Sequence, residues 1–222
     1  SSCDCDTFYA SINLGLSQTN GRSSGSGVAE VVDVGVFAFG NSGSSNYNQY
    51  LLGGAVGKYI PVCLCGKKMR LRAEVEGIDR YDFNFVTNGF PGVVPAAPTP
   101  RFYAVHVDDV WTVSGNLWLD IPVADDIDIY TGFGLGASGF DASVTDTFVT
   151  GFSRNTEFSY KLGAGIGLKM TRDVVLDFGW RFVDLGQTNV NLSTIAGGAP
   201  AGNYELDLHS NEFVVAVRID LF

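Results

Sequence analysis

The chain carries four cysteines in two Cys-x-Cys pairs, Cys3 and Cys5 in "SSCDCD" and Cys63 and Cys65 in "PVCLCG". Four thiols support either disulfides or a four-thiolate metal site. Bridging within a pair is disfavoured because alternating side chains diverge, and tetrahedral zinc sites usually use Cys-x2-Cys or longer spacing. Disulfides from pair to pair, a metal site, and free or intermolecular thiols are the readings open at this point. Other reactive groups are few. Histidine occurs only at His106 and His209. The stretch "LHSNEF" sets His209 beside Ser210 and Asn211, but neighbours on a regular strand face opposite sides, the wrong geometry for a base and its nucleophile. No catalytic residue, cofactor or metal is assigned.

The elements that position these residues follow from composition and periodicity. The 222 residues are 45% apolar, enough for a core, yet only 17% charged, with 28 glycines; a typical soluble domain is about a quarter charged. A net charge of −10 with scattered Lys and Arg excludes nucleic acid, which needs a clustered basic face. No apolar run reaches the roughly 18 residues of a membrane helix. Alternation with a period of two recurs along the chain. In 8–17, Phe8, Ala10, Ile12, Leu14 and Leu16 share one face. In 69–85, Met69, Leu71, Ala73 and Val75 stand opposite Arg70, Arg72, Glu74 and Glu76, with Asp79 interrupting the apolar face. Segments 105–121, 127–139, 156–170, 174–183 and 213–221 follow the pattern, and 49–60 is blurred by glycine and by adjacent Leu51 and Leu52. Eight strands are expected.

Short links at 61–68, 122–126 and 171–173 alternate with long ones at 20–48, 86–104, 140–155 and 184–205. Eight antiparallel strands with short turns at one end and long loops at the other describe an up-and-down transmembrane β-barrel in one domain, 1–222, with residues 1–6 as a tail. A soluble eight-stranded barrel has the same closure but an apolar interior. Here the polar face is the one opened by glycine: Gly132, Gly134 and Gly136 on one strand, Gly163, Gly165 and Gly167 on the next. A narrow lumen needs such gaps to admit Arg72, Trp118, Tyr130 or Arg181 from across it. Phe8, Trp111, Tyr160, Trp180 and Phe182 fall near strand ends, where aromatic belts lie.

The stretches "FYASINLGLS", "YTGFGLGASGF", "YKLGAGIGLKM", "LDFGWRFVDLG" and the closing "FVVAVRIDLF" resemble the small eight-stranded outer-membrane proteins of Gram-negative bacteria, the opacity-protein and OmpA-like barrel superfamily. The resemblance implies an integral outer-membrane protein with both termini periplasmic, surrounded by lipid and lipopolysaccharide. It implies that Phe222 is the assembly signal read by the barrel-insertion machinery. It also sets the two cysteine pairs at the periplasmic end of neighbouring strands, where oxidation favours disulfides between Cys3/Cys5 and Cys63/Cys65. Some small barrels of this kind modify lipid A, and "LHSN" resembles the His-x-Ser-Asn of lipid A deacylases with one residue missing.

Alternation puts Arg70, Arg72, Glu74, Glu76, Asp120, Asp128, Lys161, Lys169, Asp177, Arg181, Arg218 and Asp220 on the polar, luminal face. Buried charges must be paired, so a plugging network is expected, with an ion path as the alternative. The loop 20–48 contains "VAEVVDVGVFAFG", whose Val31, Val32, Val34, Val36, Phe37 and Phe39 are an apolar, β-prone surface in need of cover. That segment is expected to extend the wall as a hairpin or to meet a partner, a homo-oligomer or lattice being preferred. The expected role is structural or adhesive and non-enzymatic, with a narrow channel and a lipid A hydrolase as alternatives.

Overall fold

Among the described residues nine antiparallel strands build the wall: β1 (Phe8–Val31), β2 (Gly35–Leu64), β3 (Lys67–Arg80), β4 (Phe83–Pro91), β5 (Arg101–Ala124), β6 (Ile127–Thr145), β7 (Val149–Lys169), β8 (Val174–Thr194) and β9 (Pro200–Leu221). The computed structural model describes residues 7–31, 35–64, 67–91, 101–146 and 149–221, and their side chains outside 26–43, 62–68, 85, 87–91 and 101–102. Strands β3 and β4 form one stave, interrupted at Tyr81 and Asp82, because both pair with β2 on one side and β5 on the other. Nine strands therefore make eight staves. The ring closes where β1 pairs with both β2 and β9.

A row of register partners starting at Lys58 runs through Ala73, Leu117, Phe133, Leu162, Phe182, Asn211 and Gln18, and returns to β2 at Asn48. The stagger is ten residues (58 − 48), which tilts the strands about 40° from the barrel axis. An apolar outward run such as Phe213 to Leu221 on β9 then covers roughly 23 Å along the axis, the height of an outer-membrane apolar band.

The strands outrun that band, and their chemistry inverts above it. On β9, Phe213, Val215, Val217, Ile219 and Leu221 face outward and are exposed, with Glu212 and Arg218 buried within. Further up the same strand, Tyr204, Leu206 and Leu208 are the buried residues, and Asn203, Glu205, Asp207, His209 and Asn211 fall on the opposite phase. Lipid outside dictates the first pattern and water outside dictates the second. The upper tier holds an apolar core of Tyr103, Val105, Val107, Phe140, Val144, Leu185, Leu192, Tyr204, Leu206 and Leu208 among others, each large side chain contributing about 1.5–3 kcal/mol.

The ladders of this tier are interrupted at two places. Between Tyr160↔Asp184 and Gly151↔Leu192 the β7–β8 ladder lapses. So does the wall between β2 and the third stave, from Leu51↔Arg80 up to Asn41↔Gly89. The two seams are four staves apart in a ring of eight, so they lie on opposite sides. The four strands on either side of these interruptions, β4-β5-β6-β7 and β8-β9-β1-β2, face each other across the apolar core within one continuous sheet. Tyr103 meets Tyr204 across it at 5.9 Å between centroids, and Tyr47 meets Phe83 at 5.5 Å.

Two departures from the sequence expectation follow. The described residues of the stretches 20–48, 86–104, 140–155 and 184–205, expected as loops, are largely strand: β1 and β2 pair from Asn20↔Asn46 up to Val31↔Gly35, and between β6 and β7 Asp146 N donates to Val149 O at 2.9 Å. Gly, Ser and Asn read as loop composition, but above the lipid neither face of a hairpin has to be bulky. The phase of β5 also changes. A bulge between Asp108 and Trp111, with Asp109 at φ 51°, adds one residue, so Val107 and Val110 both face inward.

Candidate functional site: the charged lumen

Inside the apolar band the inward positions are charged, and their partners come both from neighbouring strands, as for Arg181 and Glu212, and from across the barrel, as for Arg181 and Glu76. Asp120 and Asp177 form a lower cluster with Arg72 and Arg218: Arg72 Nε donates to Asp120 at 2.9 Å, and Arg218 Nη2 donates to Asp177 at 3.1 Å. An upper cluster centres on Glu76 and Glu212. Arg181 spans both, Nη1 to Glu76 and Nε to Glu212, each at 2.7 Å. Lys161 pairs with Glu76 as well, and Arg80 with Glu212 at 2.6 Å. Glu74 accepts from Tyr9 Oη at 2.5 Å, Trp118 Nε1 at 2.7 Å and Asn116 Nδ2 at 2.9 Å. At the short-turn end Asp128 takes Arg70 at 2.6 Å and Lys169 at 3.4 Å, and Tyr59 donates to Asp220 at 3.1 Å.

The strand glycines make this density possible. A Cβ at Gly132 would fall within the Trp118 side chain, and one at Gly165 or Gly179 would meet the Tyr130 hydroxyl. At Gly163 it would stand 3.0 Å from the Arg181 Cβ. The gaps are filled from the neighbouring strand rather than, as expected, from across the lumen: Trp118 is the register partner of Gly132, Tyr130 of Gly165 and Arg181 of Gly163. Among the described residues, a cavity of about 50 Å3 is lined by Asn13, Arg72, Glu74, Glu76 and Arg181 among others. That volume holds a water or two. Directly above the charges lies a hydroxyl and amide layer: Ser17 and Ser210 hydroxyls at 2.5 Å, Gln49 donating to Thr19 at 2.7 Å, Thr112 and Ser138 at 3.0 Å. The apolar core of the upper tier caps it.

All twelve charged residues placed on the luminal face from the sequence take part in the hydrogen bonds or ion pairs of this lumen. Arg80 and Glu212 belong to it too. Both were visible as signals: Arg80 follows the polar phase of Arg70 and Arg72, and Glu212 the phase of Arg218. The Cys3, Cys5 and Cys65 positions and Phe222 lie outside the described residues, as do the side chains of Cys63 and of the hairpin residues Val31, Val32, Val34, Val36, Phe37 and Phe39. His209 and Ser210 are not brought together. The Ser210 side chain is buried in the lumen against Ser17, whereas the His209 ring lies 5.9 Å from Phe182 on the outer face. His106 Nε2 is 2.6 Å from Asp108 in a half-exposed pair.

A closed ring of eight antiparallel staves, apolar outside and charged within, is the architecture of a transmembrane β-barrel. The match to known sequences makes it specific: the model of the outer membrane protein beta-barrel domain covers residues 6–216, and the chain belongs to that family. Its place is the outer membrane of a Gram-negative bacterium, in lipid and lipopolysaccharide. An uncharacterised protein of Rickettsia conorii, RC1282, is 24% identical over 136 residues, which are 59% of this chain and 60% of the relative. The matched part thus spans about 60% of the length of that curated relative. Among solved structures, the outer membrane protease OmpT of Escherichia coli aligns over 97% of both chains with a TM-score of 0.54 and 9% identity, a likeness of fold alone. Neisserial surface protein A aligns over 96% of both chains with a TM-score of 0.43 and 15% identity.

Proposed function

We propose that this barrel is a non-enzymatic structural and surface-interaction protein, with its lumen shut by its own side chains and its contacts made at the tall end. The observation that carries this reading is the filled interior: ion-pair clusters, a hydroxyl layer and an apolar core succeed one another along the axis. A channel would need a continuous wet path, and the luminal cavity found among the described residues, about 50 Å3, is far short of one. In this reading the short turns and both termini face the periplasm, where Cys3 and Cys5 bridge to Cys63 and Cys65, and the insertion machinery reads Phe222. The upper tier stands outside the cell.

Assembly or adhesion falls to the hairpin around 28–40. Beyond Ser26 its first strand pairs only with its second, among the described residues, so its outer edge offers unpaired backbone groups, and edges of this kind recruit another chain. A second copy is the preferred partner. Two measurements test the proposal. The purified barrel in planar bilayers should show no steady conductance; a conductance that responds to Arg72→Ala or Glu74→Ala establishes the channel reading instead. Deleting 28–40 should leave a folded barrel that no longer assembles or adheres; unchanged assembly and adhesion would sink the hairpin's role.

A further inference from the structure

Asp79 interrupts an otherwise apolar outward face, and neither the lumen nor the hairpin accounts for it. It is the first of four register partners on successive staves: Asp79, Trp111, Gly139 and Thr156. Two residues further toward the tall end along β6 and β7, Asp108, Asp141 and Arg154 are aligned in the same way, with the Asp109 bulge between the rows. Gly139 has no side chain because the indole occupies that space: a Cβ there would stand 2.5 Å from Trp111 Cζ2 and Nε1. Seated on the Gly139 backbone, Trp111 remains 36% exposed. The groove around it holds about 420 Å3 and is lined by Asp79, Asp109, Asp141, Arg154 and Thr156 as well as the indole. Arg154 Nε donates to both Asp141 oxygens, at 2.8 and 2.9 Å, which fixes a guanidinium and a carboxylate side by side at the rim.

We infer that this groove binds a neutral saccharide, one sugar ring stacked on Trp111 and its hydroxyls shared among Asp79, Asp109 and the Arg154–Asp141 pair. The negative face of an aromatic ring attracts the weakly positive C–H face of a pyranose. Sugar hydroxyls both donate and accept, so a lining that mixes carboxylate acceptors with a guanidinium donor satisfies them, and hydrogen bonds to charged groups are the stronger kind. The volume is in the range of small-molecule sites. Four carboxylates, Asp79, Asp108, Asp109 and Asp141, repel an anionic sugar. The site is separate from both the lumen and the 28–40 hairpin, so it stands or falls independently of them.

An organic cation would use the same indole and carboxylates, and Arg154 separates the two. A sugar loses a donor when Arg154 is neutralised, whereas a cation loses a repelling charge. The full-length protein in detergent micelles is titrated with lactose, maltotriose and N,N′-diacetylchitobiose, and in parallel with spermidine and tetralysine, following tryptophan fluorescence. At least one of the saccharides should give a saturable change. Gly139→Ala, which displaces the indole and removes no polar group, and Arg154→Gln should each weaken it about tenfold or more. Heat-modifiable gel migration reports that the variants are folded, and the exposed Asp79→Asn makes the same test if Gly139→Ala fails to fold. Saturation by spermidine or tetralysine alone, tighter binding in Arg154→Gln, or no response to any of the three saccharides overturns the inference.

Discussion

Glu76 is where the luminal plug is most exposed to a single change. Its two oxygens accept from Asn13 at 2.8 Å, Asn116 at 3.0 Å, Arg181 at 2.7 Å and from Lys161, at 2% exposure. Glu76→Gln keeps the shape and removes the charge. Lys161 then loses its one salt-bridge partner among the described residues, Arg181 is left with Glu212 alone, and the new amide turns a donor toward other donors. Removing one partner of a buried pair costs about 3–5 kcal/mol, because the penalty is the stranded charge. The double variant Glu76→Gln with Lys161→Met removes that charge as well, so it should recover a large part of the loss. Urea unfolding in lipid vesicles, followed by gel migration and tryptophan fluorescence, measures both. A single variant within about 1 kcal/mol of the parent, or a double no more stable than the single, would refute the account of the lumen as a paired, desolvated network.

The other predictions probe the two faces and the tail. Leu135, half-exposed on the lipid side, should cost about 2–4 kcal/mol as Leu135→Arg near the bilayer midplane, read from the same unfolding assay. Gly165→Ala drives a methyl into the Tyr130 ring and should cost about 1–3 kcal/mol as overpacking, whereas Gly115→Ala, which faces open space, should be neutral or slightly stabilising; equal effects at the two glycines would mean the faces are assigned wrongly. Non-reducing peptide mapping should recover Cys3 and Cys5 linked to Cys63 and Cys65, and bound zinc or four free thiols would remove the proposed staple. The Arg154 hydrogen bonds hold the Asp141 carboxyl below its usual range, so this rim pair contributes above the unfolded carboxylate pKa and is lost as pH falls through the folded one; saccharide binding should weaken over that acid window, and a loss centred near neutrality would point to another group.

The band was legible because lipid and a narrow lumen impose opposite demands on neighbouring residues. On β1, Ile12, Leu14 and Leu16 are exposed to the outside while Asn13 is buried, and β9 from Phe213 repeats the alternation. Once the phase is known the luminal charges follow, including Glu212, which shares the phase of Arg218. Above the band the signal fades for a physical reason. The β1–β2 extension through "NGRSSGSG" carries no bulky face at all, and its strands are held by ladder hydrogen bonds that composition does not record. The bulges are equally silent: nothing in "VHVDDVW" announces that Asp109 shifts the phase by one. The seams arise from which ladders lapse, a property of the closed ring rather than of any segment.

Those bulges have a consequence for how such a wall changes length. A strand that passes from lipid to water keeps a strict parity, since one added residue turns every side chain beyond it to the other face. On β9, which crosses the boundary with its phase intact, insertions above Asn211 are compatible with the apolar core only in twos, matched by twos on β1 and β8. At Asp109 on β5, with φ 51°, and at Gly186 on β8, with φ 91°, where Asp184 pairs with His209 but Gly186 with Leu208, an odd residue has already been absorbed and the phase reset. Those two points are therefore the places where the outer tier can be lengthened, shortened or re-aimed by single residues while the membrane band below stays in register.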